Sequence, residues 1–388
     1  MADSGSKRDI LAFYLFSFCI GLYLANGTTV LFEQALNFTF FQIFVAGGLY
    51  MLMFIVFEIP SGAFADLIGR KRSLMLGGLV LSLGAVATAM SSTFPQVLSS
   101  FALWALGFSF ISGADEALLY DKIGDSSAYA RIIGRSHFFA LFGTALAGVA
   151  GPYLFSLNFR FPYLFSAAPF FLAAVAISLF REVHQREPFT FRRHFQQIGL
   201  GIATAWRNKY VLWAIGIMAL TFAVWYTFTN SYQPYLRNIG FSISAFSWIL
   251  PAMFLIEAGG ARLGGRLYNY VKENQLFFFG LLALAAVFAV LGAWPVKPAL
   301  LVLLGYQLLR GIFSPVISTY TNRHIESATR ATVISVQGMI ATTTAAFTLL
   351  LFGFLTDRLG LNNLLLMLGG IIFVIGGLLF TLKPKEQI

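Results

Sequence analysis

Residues 58–72 read Glu58-Ile-Pro-Ser-Gly-Ala-Phe-Ala-Asp-Leu-Ile-Gly-Arg-Lys-Arg72. An apolar run long enough for one membrane crossing enters this stretch and another leaves it. Between them stand Gly62, Asp66, Gly69 and the consecutive cations Arg70, Lys71 and Arg72. Cations pinned between two spans mark the cytoplasmic side of a membrane.

Composition supports that reading. The 388 residues are 58% hydrophobic and 11% charged, against roughly 25% charged in soluble domains. Too little polar surface is left to clothe a water-soluble particle, so the chain reads as a polytopic membrane protein. A net charge of +10 would suggest nucleic acid in a soluble protein. Here the cations fall between apolar runs, and no nucleic-acid partner is expected. The single cysteine, Cys19, lies inside the first apolar run, which excludes an intrachain disulfide and a cysteine-cluster metal site. His137, His184, His194 and His324 have no ligand spacing, so no metal and no cofactor are expected.

Hydropathy predicts twelve spans: 10–32, 40–65, 72–92, 96–120, 130–156, 161–181, 210–235, 242–267, 275–294, 298–321, 330–356 and 361–382. The first follows Lys7 and Arg8, but it is too long for a signal-peptide core and no small-residue cleavage pattern follows it. It therefore reads as an uncleaved helix. If both termini are cytoplasmic, the outer loops hold only Arg160, Arg237, Lys297 and Arg358. Arg310 lies within the membrane, and the other twenty-one of the twenty-six Lys and Arg fall on the inner side. The expected location is the cytoplasmic membrane, multi-pass, with both termini inside. One connection is longer and basic. In it Phe191, Phe195, Ile198 and Ile202 recur at helical spacing, predicting an amphipathic helix on the membrane surface. The expected organisation is a six-helix half over 1–183, a linker over 184–209 and a second half over 210–388. A weak internal repeat pairs Asn26–Thr39 with Asn230–Ser242 and Gly113–Arg131 with Gly311–Arg330.

The loop pattern Gly62-x-x-x-Asp66-x-x-Gly69-Arg70-Lys71 resembles the signature between helices 2 and 3 of the major facilitator superfamily of secondary transporters. Phe64 and Leu67 replace a Leu and an Arg of that signature. The resemblance implies an all-α membrane protein with twelve transmembrane helices in two pseudo-symmetric six-helix bundles. It also implies a conformational latch of Gly62, Asp66, Gly69, Arg70 and Asp121. Asp66 would face the start of helix 11 near Ala331, where the helix dipole favours an anion, and Arg70 would pair with Asp121. The alternative is that these cations only retain topology. Gly143, Gly148, Gly151 and Pro152 partly resemble a motif of drug-exporting members; helix packing explains them equally.

Charges inside a bilayer are costly and mark function or pairing. Glu58, Asp115, Glu116, Glu257 and Arg310 are the candidates. The resemblance puts Arg310, with Tyr306 and Ser314 one turn to either side, at solute depth. Arg310 reads either as a solute or coupling group or as half of a structural ion pair with Glu257. A carboxyl withdrawn from water can hold a proton near neutral pH, so Glu58, Asp115, Glu116 and Glu257 are proton-coupling candidates. Asn26, Trp104, Trp225, Tyr226, Asn230 and Tyr306 would suit a cavity for an amphipathic solute, whereas Trp206, Trp213 and Trp294 read as interfacial. No phosphate loop or nucleophile elbow occurs, so an enzyme is not expected and any driving force is a gradient. The expected function is secondary transport of a small organic solute by alternating access. It would be proton-coupled, by antiport and export, in a monomer whose partners are solute, protons and the lipid bilayer. The alternatives are an importer or uniporter of the same fold, or a transport-inactive receptor or assembly protein.

Overall fold

A computed structural model describes residues 4–123, 126–182, 199, 202–325 and 329–384. The helices are α1 (Ser4–Gly21), α2 (Thr29–Ala35), α3 (Phe40–Ile68), α4 (Arg70–Met90), α5 (Phe94–Ile111), α6 (Ala114–Ile123), α7 (Ser126–Leu157) and α8 (Phe161–Ser178). They continue with α9 (Lys209–Thr229), α10 (Tyr232–Asn238), α11 (Phe246–Tyr270), α12 (Glu273–Ala293), α13 (Ala299–Arg323), α14 (Arg330–Leu359) and α15 (Leu361–Thr381). The all-helical architecture is as expected, and among the described residues eleven helices are long and apolar enough to cross a membrane. Most of the amphipathic helix expected in the linker, with Phe191, Phe195 and Ile198, falls outside the described residues.

Local chemistry sets the helix ends. Thr93 and Gln96 form a reciprocal capping box that opens α5, with proline in its first turn. At α3 the N–H of Thr39 donates to Gln42 Oε1 at 3.0 Å, and the N–H of Gln42 donates to Thr39 Oγ1 at 3.2 Å. The next amides, of Phe40 and Phe41, donate to the carboxylate of Asp357 at 2.8 and 3.0 Å. Asn208 caps α9 by accepting from Tyr210 and Val211. The break between α3 and α4 falls at Gly69, whose φ of 102° is open to glycine.

The first predicted span departs from a single helix. The chain leaves α1 at Gly21, bends through residues 22–28 and re-enters a helix as α2. An amide freed at the bend is satisfied from a distance: Leu24 N–H donates to Ser166 Oγ on α8 at 3.0 Å. The seventh span ends in the same way, with α10 repeating the seven-residue length of α2. The fourth predicted span is also interrupted, at Gly113 with φ 73°, between α5 and α6.

The described helices form two compact units. The first contains α1, α2, α3 from Leu49 onward, α4 to α8 and residues 243–250; the second contains residues 39–48, α9, α10, α11 from Pro251 onward and α12 to α15. Each is built around rings. In the first, Tyr23, Trp104, Tyr163 and Phe170 lie with centroids 4.7–6.2 Å apart. In the second, Trp213, Phe277 and Tyr320 form one cluster and Phe228, Phe288 and Tyr306 another. Trp213, expected to be interfacial, is buried there, with its indole N–H bonded to the Leu379 carbonyl at 2.6 Å. The aromatic walls of α12 and α13 and that carbonyl give it a dry site with a satisfied N–H. Trp206 and Trp294 are exposed.

Candidate functional site

The second unit holds a cavity of about 340 Å³ walled by α9, α11, α12, α13 and α14. Its polar wall includes Arg310, Glu257, Thr221, Ser314 and Gln337, and its apolar wall includes Trp225, Tyr306 and Phe313. Arg310 and Glu257, 53 positions apart, meet as an ion pair at 2.8 Å. The Arg310 guanidinium also lies over the Trp225 ring, 4.1 Å from its centroid, where the π face favours a cation.

Glycines let α11 and α13 approach this closely. A Cβ on Gly311 would stand 2.1 Å from the Glu257 carbonyl oxygen, and one on Gly260 would stand 2.4 Å from that of Leu308. Backbone therefore meets backbone beside the pair, so the two charged side chains need little reach. The pair remains open to the cavity, with Arg310 27% and Glu257 26% exposed.

Other expected site residues are distributed differently. Tyr306 is buried and lines the cavity. Tyr226 follows Trp225 on α9 and Asn230 caps its C-terminus, both half-buried, with Asn230 Nδ2 donating to the Tyr226 carbonyl at 2.8 Å. Asn26 is exposed in the bend of the first unit. Trp104 is buried in the ring cluster of the first unit, with its N–H bonded to Thr88 Oγ1 at 2.9 Å. Among the expected proton groups, Glu58 and Glu116 are exposed, and Asp115 is half-buried and accepts from the Glu116 amide at 2.8 Å. Glu58 accepts from Ser112 at 3.4 Å.

At the loop motif, Arg70 forms an ion pair with Asp121 and donates to the Ala117 carbonyl at 3.0 Å. Asp66 is half-buried near the end of α3, and Gly62 is exposed. Glu182, which the sequence reading passed over, joins this cluster. Its Oε1 accepts from the Arg70 amide at 2.7 Å, placing a carboxylate at the N-terminus of α4. A Cβ on Gly69 would stand 2.7 Å from Glu182 Oε2, so that glycine serves both the turn and the cap. The available signal was an acid directly after a long apolar run.

Glu33 was missed as well. This α2 carboxyl is only 3% exposed, and its Oε1 has no hydrogen-bond partner among the described residues. It lies beyond the first predicted span, and burial pushes its pKa well above the ordinary carboxylate range. Tyr23 and Tyr163 are close enough to feel its charge. Nothing local distinguishes it from an exposed acid at a helix end.

The Major Facilitator Superfamily profile matches residues 11–347. The chain belongs to that superfamily. It is similar, at 22% identity over 382 residues, to the uncharacterized MFS-type transporter YxaM of Bacillus subtilis (strain 168), covering 96% of this chain and 95% of YxaM. Among solved structures, a point mutant of the nucleoside transporter NupG superposes with a TM-score of 0.82 at 13% identity, covering 97% of this chain and all of that one. A bacterial homolog of the human lysosomal transporter Spinster superposes at 0.76 and 14% identity, covering 99% and 98%. A D-xylose-proton symporter does so at 0.73 and 13% identity, covering 95% and 98%. This superfamily member is thus a membrane transporter by family, and the structural neighbours carry the same fold.

Proposed function

We propose that the chain is a secondary active transporter that moves a small organic solute across the cytoplasmic membrane by alternating access, with both termini inside. The carrying observation is the Arg310–Glu257 pair, open to a cavity of about 340 Å³ with Trp225 and Tyr306 in its wall. A volume at the low end for ligand pockets, apolar walls and one ion pair suit a small amphipathic solute. Nucleosides and D-xylose, named for two structural neighbours, fall in that size class.

In this reading Arg310 takes the solute's polar group and Glu257 exchanges a proton as the pair opens. The cycle is proton-coupled antiport and runs outward. The glycine run at Gly143, Gly148 and Gly151 on α7, which partly resembles that of exporters, supports the direction. Glu33 joins Glu58, Asp115 and Glu116 as a further proton group, on its burial and its lack of a hydrogen-bond partner at Oε1. Arg70 and Asp121, held by Gly69 and Glu182, form the inner latch together with Gly62 and Asp66. The functional boundaries are 1–183, 184–209 and 210–388, and the working unit is a monomer.

The test is transport by the purified chain in proteoliposomes across a panel of nucleosides, sugars, amino acids and amphipathic amines. Imposed proton gradients of both signs should drive opposite fluxes for at least one solute. Solute movement indifferent to the gradient would identify a uniporter. Binding without any flux would identify a receptor.

A further inference from the structure

The end of the first unit where α1, α4 and α7 begin is rich in cations. Two grooves open there. One, near Arg8, Lys71, Arg72 and Arg181, also contains Glu182, which neutralises part of its charge and already caps α4. The other lies between α1 and α7, has a volume of about 410 Å³, and is lined by Lys7, Arg131, Arg135, Leu11, Tyr14 and their neighbours. Among the described residues, no carboxylate lines it. The α7 sequence contains no Asp or Glu. The acid of α1, Asp9, is engaged by Lys122 at 2.7 Å and by the Arg181 amide at 3.0 Å. Three cations thus converge on this groove with no countercharge among its described walls.

The groove arises from how α1 and α7 pack. The helices run in the same direction. Ser17 Oγ meets Ser136 Oγ at 2.6 Å, and further along, Cβ atoms on Gly143 and Gly151 would stand 2.4 and 1.9 Å from the carbonyl oxygens of Phe18 and Leu24. The seam is closed from Ser17 onward, and the cavity sits before it, at the basic end. Apolar residues continue from the cations along the same helix faces. On α1, Lys7 is followed at four-residue steps by Leu11 and Leu15. On α7, Arg131 and Arg135 are followed by Phe138 and Phe142. Leu11, Leu15, Phe138 and Phe142 are all exposed. The two phenyl rings stack 6.2 Å apart, tilted by 4°.

We propose that this groove binds a phospholipid with a net negative headgroup. The lipid phosphate would sit among Lys7, Arg131 and Arg135, and one acyl chain would lie along Leu11, Leu15, Phe138 and Phe142. A soluble anion satisfies only the first half of this surface; a phospholipid satisfies both. Basic pockets between membrane helices provide such headgroup sites. The orientation proposed above puts this site in the cytoplasmic leaflet. The test reads lipid retention rather than transport, so its outcome is separate from that of the transport reading.

The full chain, purified and placed in nanodiscs of phosphatidylcholine, is titrated with phosphatidylglycerol, and bound lipid is counted by native mass spectrometry. Wild type should retain phosphatidylglycerol selectively. The variant combining Lys7→Gln, Arg131→Gln and Arg135→Gln should retain it more weakly, by on the order of a hundredfold, at roughly fivefold per charge. The charge-conserving pair Arg131→Lys and Arg135→Lys should stay within about fivefold of wild type, since the headgroup needs charge more than fork geometry. Inorganic phosphate at millimolar concentration should not displace the lipid. Equal retention of the two lipids by wild type would overturn the proposal. So would undiminished retention by the triple Gln variant, or displacement by free phosphate.

Discussion

Removing the Arg310–Glu257 pair one charge at a time tests the candidate site. At 2.8 Å and an effective dielectric of about 20, the gross attraction is about 6 kcal/mol. Each side chain keeps about a quarter of its exposure, so lost hydration and residual screening offset most of it, leaving a coupling of about 2 kcal/mol. The Trp225 ring under the guanidinium adds about 1 kcal/mol that only Arg310 can lose. Glu257→Gln should therefore cost about 2 kcal/mol, and Arg310→Ala about 3 kcal/mol. The double variant should cost about 3 rather than about 5 kcal/mol, because no charge is left orphaned. The measurement is unfolding of the purified chain in nanodiscs, followed by tryptophan fluorescence for wild type and all three variants. Transport adds a second readout. If Arg310 holds the solute and Glu257 the proton, both single variants lose flux and the double variant folds but stays inactive. Glu257→Gln alone should then bind solute without pH dependence. Strictly additive stability costs, or wild-type flux in both single variants, would refute the reasoning.

Glu33→Gln should change how stability depends on pH. The buried carboxyl has a folded pKa well above its ordinary value of 4.5, so the folded state binds its proton more tightly than the unfolded state. The stability this provides is fully present below 4.5 and is lost as pH rises toward the folded value. The Gln variant should match wild type near pH ~4.5 and melt higher than it at alkaline pH; a variant that melts lower at alkaline pH would contradict the burial argument. Gly311→Leu should separate α11 from α13, costing about 2–3 kcal/mol through overpacking and abolishing solute binding, whereas Gly370→Ala, where an added Cβ meets nothing, should leave both unchanged. Arg70→Ala should free Asp121 and raise the reactivity of cysteines introduced beside the pair, at Ala117 and Leu118. Unchanged reactivity together with unchanged transport would reduce the loop to a topology signal.

Much of this protein was legible without coordinates because bilayers impose short-range rules. Span length, apolar content and the position of cations are set residue by residue. The helical architecture, the loop motif and the pairing of Arg310 with Glu257 could therefore be read from spacing and charge. A lone cation in hydrocarbon needs an acid nearby, and Glu257 was the suitable one within the same half. Tertiary structure alone decided how near they come, since that depends on Gly260 and Gly311 meeting carbonyls of the opposite helix. It also decided how each tryptophan is used. Trp104 and Trp225 both sit in apolar helices; packing against Thr88 and Tyr23 buries the first in the ring cluster of its own unit, and the second lines the cavity of the other unit. The bend at residues 22–28 depends on Ser166, which lies 142 positions from Leu24. Glu33 ends an apolar run as any exposed acid would, and its burial comes from how the short helix α2 is packed within the first unit. Hydropathy is a property of a segment. Burial of one carboxyl and the distance between two charges are properties of helices that meet only after folding.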